Sequence, residues 1–227
     1  MKQVLAICLD LDDTLWAIDE VIERAELAML EWLARDYPRV TQEHDVHSMR
    51  AVRQRMAAEF PAMRHDFTFL RRRALAWHAR EAGYPERLAD EAFEVFYAVR
   101  NEVAVFADVV PALERLRTRF RLMTLSNGNA DLDRIGLAHH FERNLAARDL
   151  GAAKPDRRVF QALLEATGLE PAQVLYAGDD PQADVGGARA AGLHTAWVDR
   201  THRPWPEGLP PPDLTVRDLG ELADRLL

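Results

Sequence analysis

The feature that most constrains this chain is an interruption. A short, nearly continuous apolar run, Val4 to Leu9, is set apart from three similar runs (Arg121–Leu125, Val174–Ala177 and Leu193–Val198) by roughly 90 residues of another pattern. Runs of this length and continuity read as strands buried on both faces, the mark of a parallel sheet. Helical segments separate the later runs: Val109–Thr118, a short one over Asn129–Ile135, Pro155–Thr167 with Val159, Phe160, Leu163 and Leu164 on one face, and Ala183–Ala191, stopped by Gly192. A proline-rich loop over 201–213 leads to a short terminal strand and helix. Such alternation predicts an α/β fold, a parallel sheet with right-handed crossovers.

The intervening stretch has helical periodicity and no strand pattern. Ile18, Val21, Ile22, Ala25, Met29, Trp32 and Leu33 mark a first helix, and Val46, Met49 and Met56 a second. Phe67, Leu70, Ala74 and Trp77 mark a third, and Leu88, Ala92, Val95, Phe96 and Val99 a fourth. Pro38, Pro61 and Gly83-Tyr84-Pro85 read as the breaks between them. The chain thus predicts a core of residues 1–15 and 106–227 and an all-helical cap of residues 16–105. The crossings near Trp16 and Phe106 would form a hinge, letting the cap close over a ligand.

Each apolar run is followed by polar residues, and the first ends in three aspartates, Asp10, Asp12 and Asp13. Carboxylates this close repel, and burial disfavours their charged forms, so a bound cation is the simplest reason to keep them. Asp10/Asp12/Thr14, Ser126/Asn127, Lys154 and Asp179/Asp180/Asp184 all follow strand-like or apolar segments. In a parallel sheet the strand ends share one edge, so these distant residues can meet in one pocket. They supply oxygen ligands of the kind Mg²⁺ prefers and a lysine point charge for a phosphate.

Composition narrows the class. With 48% hydrophobic and 29% charged residues the chain reads as an ordinary soluble globular protein. A net charge of −8 argues against non-specific nucleic-acid binding, and an anionic substrate would need a local cation or lysine to offset it. The single cysteine, Cys8, excludes an intrachain disulfide and suits a reducing compartment. The N-terminal apolar run is short and meets aspartates at once, unlike a signal peptide, and no segment reaches the roughly 20 apolar residues of a membrane span. The expected location is cytoplasmic, with no membrane partner; the oligomeric state is left open.

DLDDT at 10–14, Ser126, Lys154-Pro155 and GDDPQAD at 178–184 resemble, in order, the four motifs of the haloacid dehalogenase superfamily. The resemblance implies a Rossmann-like parallel sheet core, a C1-type helical cap, and Mg²⁺ as cofactor. It implies that Asp10 is the nucleophile, forming an aspartyl-phosphate. Asp12 would be the general acid for the leaving alcohol, then the base for water, its backbone carbonyl also ligating metal. Ser126 and Asn127 would hold phosphoryl oxygens, Lys154 would neutralise phosphate and Asp10, and Asp179 would complete the ligand set. Asp184 would orient Lys154 or a metal-bound water, with Thr14 bracing the turn and Asp180 in a supporting place. The dehalogenases that named the superfamily lack an aspartate two residues after the nucleophile, because a halide needs no proton; Asp12 therefore favours phosphate chemistry.

NGNADL at 127–132, AGDDPQADVGGA at 177–188 and DLDDTLW with VIERAE also resemble a bacterial branch of phosphatases acting on 5-amino-6-(5-phosphoribitylamino)uracil in riboflavin synthesis, or on flavin mononucleotide. The expected function is a Mg²⁺-dependent phosphomonoesterase of a small phosphorylated metabolite. The alternatives are a phosphomutase and a non-enzymatic phosphometabolite-binding protein. Adjacent His139 and His140 read as structural, and Arg71-Arg72-Arg73 as a solvated helix face. Trp16 reads equally as packing or as a substrate or hinge contact.

Overall fold

The structure, a computed structural model, describes residues 3–227. The chain divides into two compact units, one of residues up to Ala17 together with Ala104–Leu227, the other Ile18–Val103.

In the first unit, strand β1 (Ala6–Leu9) is buried along its whole length, as its unbroken apolar sequence requires. The chain then enters the second unit, where α1 (Asp19–Asp36), α2 (Pro38–Glu43), α3 (Val46–Glu59), α4 (Phe67–Glu81) and α5 (Leu88–Arg100) form a helical bundle. Ala25, Met29 and Leu33 of α1, Leu75 and Ala79 of α4, and Phe93 and Phe96 of α5 share one core. The bundle has five helices among the described residues, not four, because Pro38 starts a helix instead of breaking one. Proline at a first helical position forfeits only an N–H that has no partner there, and its fixed φ already suits the helix. Asp45 and Ser48 exchange a capping box that starts α3. Arg71 is not on a solvated face: it is 9% exposed, pairs with the buried Glu26, and lies 3.6 Å over the Phe96 ring.

The chain returns to the first unit through α6 (Val109–Leu116), β2 (Arg121–Ser126), α7 (Leu132–Ile135), β3 (Arg143–Ala146), α8 (Ala147–Leu150) and α9 (Arg157–Thr167). There follow β4 (Val174–Gly178), a π-helical turn Pro181–Gly186 running into α10 (Gly187–Ala190), β5 (His194–Val198), β6 (Leu214–Val216) and α11 (Leu219–Leu226). The six strands order β3-β2-β1-β4-β5-β6, and every pairing is parallel. This is an α/β, Rossmann-like sheet interrupted after its first strand by a helical insertion. Val159, Phe160 and Leu163 of α9 pack on Cys8, Met123 and Tyr176 of the central strands. β3 has no counterpart among the predicted strands: its RNLA sequence is half-exposed at the sheet's edge and carries no apolar run.

Register positions the site. Leu9 aligns with Thr124 on one side and Ala177 on the other, so Asp10, Ser126 and Asp179 emerge from three adjacent strands at one edge. The chain builds outward from β1 to β2 and β3, then crosses back to β4 on the other flank of β1. Ligand crevices in open α/β sheets form where strand order reverses in this way.

Candidate active site

Asp10 leaves β1 with its N–H still donating to Ala177 O of β4 at 2.9 Å, so the sheet fixes its backbone. The next residues turn sharply. Asp13 has φ +60°, a left-handed conformation that aspartate tolerates better than most residues, and its N–H donates to Trp16 O at 2.8 Å. Within this turn Trp16 Nε1 donates to Asp12 Oδ1 at 2.9 Å. Trp16 is fully buried, so its ring is packing and its N–H orients Asp12. Arg200 anchors the turn from below: its Nε and Nη2 donate to Thr14 O at 3.0 and 2.8 Å, and its guanidinium makes a two-pronged pair with Asp108. The Thr14 hydroxyl is buried and makes no hydrogen bond, so the bracing runs through its carbonyl.

Lys154 is the hub. Its Nζ donates to Asp10 Oδ1 at 2.5 Å, Asp184 Oδ1 at 2.6 Å and Tyr176 Oη at 2.9 Å, which uses all three ammonium protons. Tyr176 in turn donates to Leu125 O at 2.8 Å. The Asn127 side chain clamps the Lys154 backbone, donating to its carbonyl at 3.0 Å and accepting from its N–H at 2.8 Å. Asn127 thus has its side chain engaged on the Lys154 backbone. Ser126 is buried, and its Oγ accepts the Gly128 N–H at 2.9 Å. Asp180 caps the turn after β4, accepting from the N–H groups of Gln182 and Ala183. That turn delivers Asp184, whose Oδ2 accepts the Asp180 N–H at 2.9 Å. Gly178 makes the approach feasible, since a Cβ there would collide with the Asp184 carboxylate.

Carboxylate oxygens of Asp10, Asp179 and Asp184 lie within 4.8 Å of one another. Asp184 thus joins Asp10 and Asp179 in the carboxylate cluster, while the Asp12 carboxylate accepts from Trp16, a contact separate from the backbone carbonyl through which the sequence expects Asp12 to ligate metal. Burial pushes Asp10 well above the usual carboxylate range, Lys154 opposes this, and the charges of Asp184 and Asp12 add to it. Burial, followed by Asp184 and Asp13, pushes Asp179 up to about 7. Burial alone would lower Lys154, but Asp10 and Asp184 outweigh it and raise the ammonium above its ordinary value. Fully ionised, the three carboxylates would carry more negative charge than Lys154 offsets, and burial together with their repulsion is what raises Asp10 and Asp179. Three hard oxygen donors with surplus charge, in a solvent-poor pocket, fit Mg²⁺.

Four contributors carried no sequence signal. Tyr176 sits inside an apolar strand run, and its hydroxyl alone marks it. Trp197 and Arg203 donate to Asp179 O at 2.8 and 3.1 Å, and Arg200 reaches Thr14 across 186 positions. Long-range side-chain-to-backbone bonds of this kind leave no local pattern.

Residues 4–192 match the haloacid dehalogenase-like hydrolase family, and the chain belongs to it. It is 42% identical over 147 residues to a phosphoserine phosphatase of Thermus thermophilus, covering 62% of this chain and 58% of that protein. It is 30% identical over 205 residues to the 5-amino-6-(5-phospho-D-ribitylamino)uracil phosphatase YigB of Escherichia coli, covering 87% and 84%. A solved structure described as a 2-haloacid dehalogenase from Pseudomonas syringae superposes with TM-score 0.92 at 36% identity, covering 98% of both chains. Among the described residues no helix is long and apolar enough to cross a membrane.

Proposed function

We propose that this hydrolase is a Mg²⁺-dependent phosphomonoesterase of a small phosphorylated metabolite, acting through an aspartyl-phosphate on Asp10. The observation that supports it most is Asp12, held beside the nucleophile by Trp16 at 2.9 Å. An alkoxide leaving group needs a proton, and a residue two positions after the nucleophile is placed to give it. Asp10, Asp179, Asp184 and the backbone carbonyl of Asp12 would hold the metal, which would supply charge neutralisation at Asp10 and at the phosphoryl oxygens.

In this reading Asp10 attacks phosphorus while Asp12 protonates the departing oxygen. Lys154, the Ser126 hydroxyl and the backbone N–H of Asn127 balance the phosphoryl charge. Asp12 then takes a proton from water as it attacks phosphorus, and phosphate leaves. The YigB phosphatase, aligned over most of both chains, supports 5-amino-6-(5-phospho-D-ribitylamino)uracil or a similar ribityl phosphate as substrate. The phosphoserine phosphatase match supports the phosphomonoesterase class over a shorter span.

The second reading, carbon–halogen hydrolysis, has the 2-haloacid dehalogenase structure in its favour. The two chemistries differ in where water strikes. Water attacks phosphorus in an aspartyl-phosphate, so its oxygen leaves in phosphate. In a carbon ester of Asp10, water attacks the carboxyl carbon, so its oxygen enters the aspartate. Single turnover in H₂¹⁸O, with mass analysis of phosphate and of the Asp10 peptide, should label phosphate alone. Label in the Asp10 peptide would overturn the phosphatase reading.

A further inference from the structure

A second cluster of ligating side chains lies at the opposite edge of the sheet. Glu114 is on α6, which leads into the start of β2, and His139 and His140 form the turn that leads into the start of β3. All strands are parallel, so this edge is the one remote from Asp10, Ser126 and Asp179. One ligand atom from each of Glu114, His139 and His140 lies within 4.8 Å of the others.

His140 carries the argument. Its side chain is 2% exposed, and its Nδ1 is shut off from solvent and makes no hydrogen bond. A buried ring nitrogen left in this state is costly and rare. Glu114 Oε1 lies 3.2 Å from it, off the direction a hydrogen bond needs. A tetrahedral ion with bonds of about 2.0 Å to nitrogen and oxygen holds those two atoms about 3.3 Å apart. The His139 ring lies 4.0 Å from that of His140, centroid to centroid, and is exposed, so it can swing to supply a third ligand. Arg117 Nη1 also reaches Glu114 Oε1, at 3.5 Å, but is half-exposed and can withdraw into water.

We propose that Glu114, His139 and the Nδ1 of His140 form a site for a zinc-class divalent ion, separate from the Asp10 cluster. Two imidazoles and a carboxylate suit zinc, copper or nickel better than magnesium, and three protein ligands leave a position for water. Bound there, the ion ties α6 to the turn before β3.

The test is calorimetric titration of chelator-treated protein with Zn²⁺ in saturating Mg²⁺, for the wild type and for His139→Ala, Glu114→Gln and Asp10→Asn. His139 and Glu114 are exposed, so their variants should melt as the wild type does without zinc. The site predicts one zinc equivalent at about micromolar affinity or tighter. It should weaken at least about tenfold in His139→Ala and in Glu114→Gln. It should persist in Asp10→Asn, and zinc should raise the melting temperature of the wild type but not of His139→Ala. Absence of micromolar binding would overturn the proposal. So would binding indifferent to His139→Ala and Glu114→Gln, which would leave His140 and Glu114 a plain polar contact. Loss of binding in Asp10→Asn alone would place the ion in the carboxylate cluster instead, with the same consequence.

Discussion

Asp12 and Asp179 are the residues at which the chemistry is most exposed to test. If Asp12 is the acid for the first step and the base for the second, Asp12→Asn should act differently on different esters. An alkyl phosphate should lose about 10²–10⁴ in kcat, since its leaving group needs the proton. p-Nitrophenyl phosphate needs none, so the first step should survive and the second stall. Rapid mixing should then show a burst of nitrophenolate followed by slow turnover. Equal losses on both esters with no burst would contradict the double role.

Asp179 sets a pH dependence. Burial and the neighbouring carboxylates raise it to about 7, so below that pH it holds a proton that a metal ligated there would have to displace. Protonation competes with the cation, so Mg²⁺ should bind more weakly at pH 6 than at pH 8. The gain in melting temperature on adding Mg²⁺ should shrink in the same direction. A gain independent of pH between 6 and 8 would count against Asp179 as a direct ligand.

At the scale of the element, β4 and the turn after it organise the site. Tyr176→Phe removes a hydroxyl that bridges Lys154 Nζ and Leu125 O, leaving both short of a partner in a fully buried place. The expected cost is about 1–3 kcal/mol by urea unfolding, with a fall in kcat as Lys154 loses one of its three anchors. Unchanged stability would mean that the hydroxyl's partners find others.

Gly178→Ala should displace Asp184 and weaken Mg²⁺ binding, because the added methyl takes the space of its carboxylate. The same scale shows what a sequence can and cannot reveal. β1, β2, β4 and β5 were legible because buried parallel strands must be apolar throughout. β3 was not, since an edge strand can be polar, and α2 was masked because proline opens a helix as readily as it ends one. The aspartates, Ser126 and Lys154 stood out as polar residues following strand-like or apolar segments, whereas Tyr176 and Arg200 act through contacts 22 and 186 positions away.

For the molecule as a whole, the helical unit rests partly on charge. Glu26 is buried, and Arg50, Arg53 and Arg71 all pair with it, at 2.6, 3.0 and 3.2 Å. Burial alone would raise its carboxyl, but Arg71, Arg50 and Arg53 hold it below the usual range. Glu26→Gln would leave three guanidinium groups facing one another. It should cost about 3 kcal/mol, the low end for a broken buried pair, because Arg50 and Arg53 stay partly hydrated. Stability within 0.5 kcal/mol of wild type, about the scatter of a surface change, would show that water solvates the arginines as well as Glu26 does.

The central claim is phosphate chemistry on a scaffold shared with dehalogenases. It is tested most directly by assaying one preparation for phosphate and for halide. The substrates would be a panel of flavin, ribityl, sugar and seryl phosphates alongside 2-chloropropionate, each with Mg²⁺ and with chelator. The account predicts phosphate release that disappears with chelator, no chloride in either condition, and a loss of at least about 10³-fold in Asp10→Asn. Chloride release that persists in chelator, with no phosphate from any ester, would contradict it.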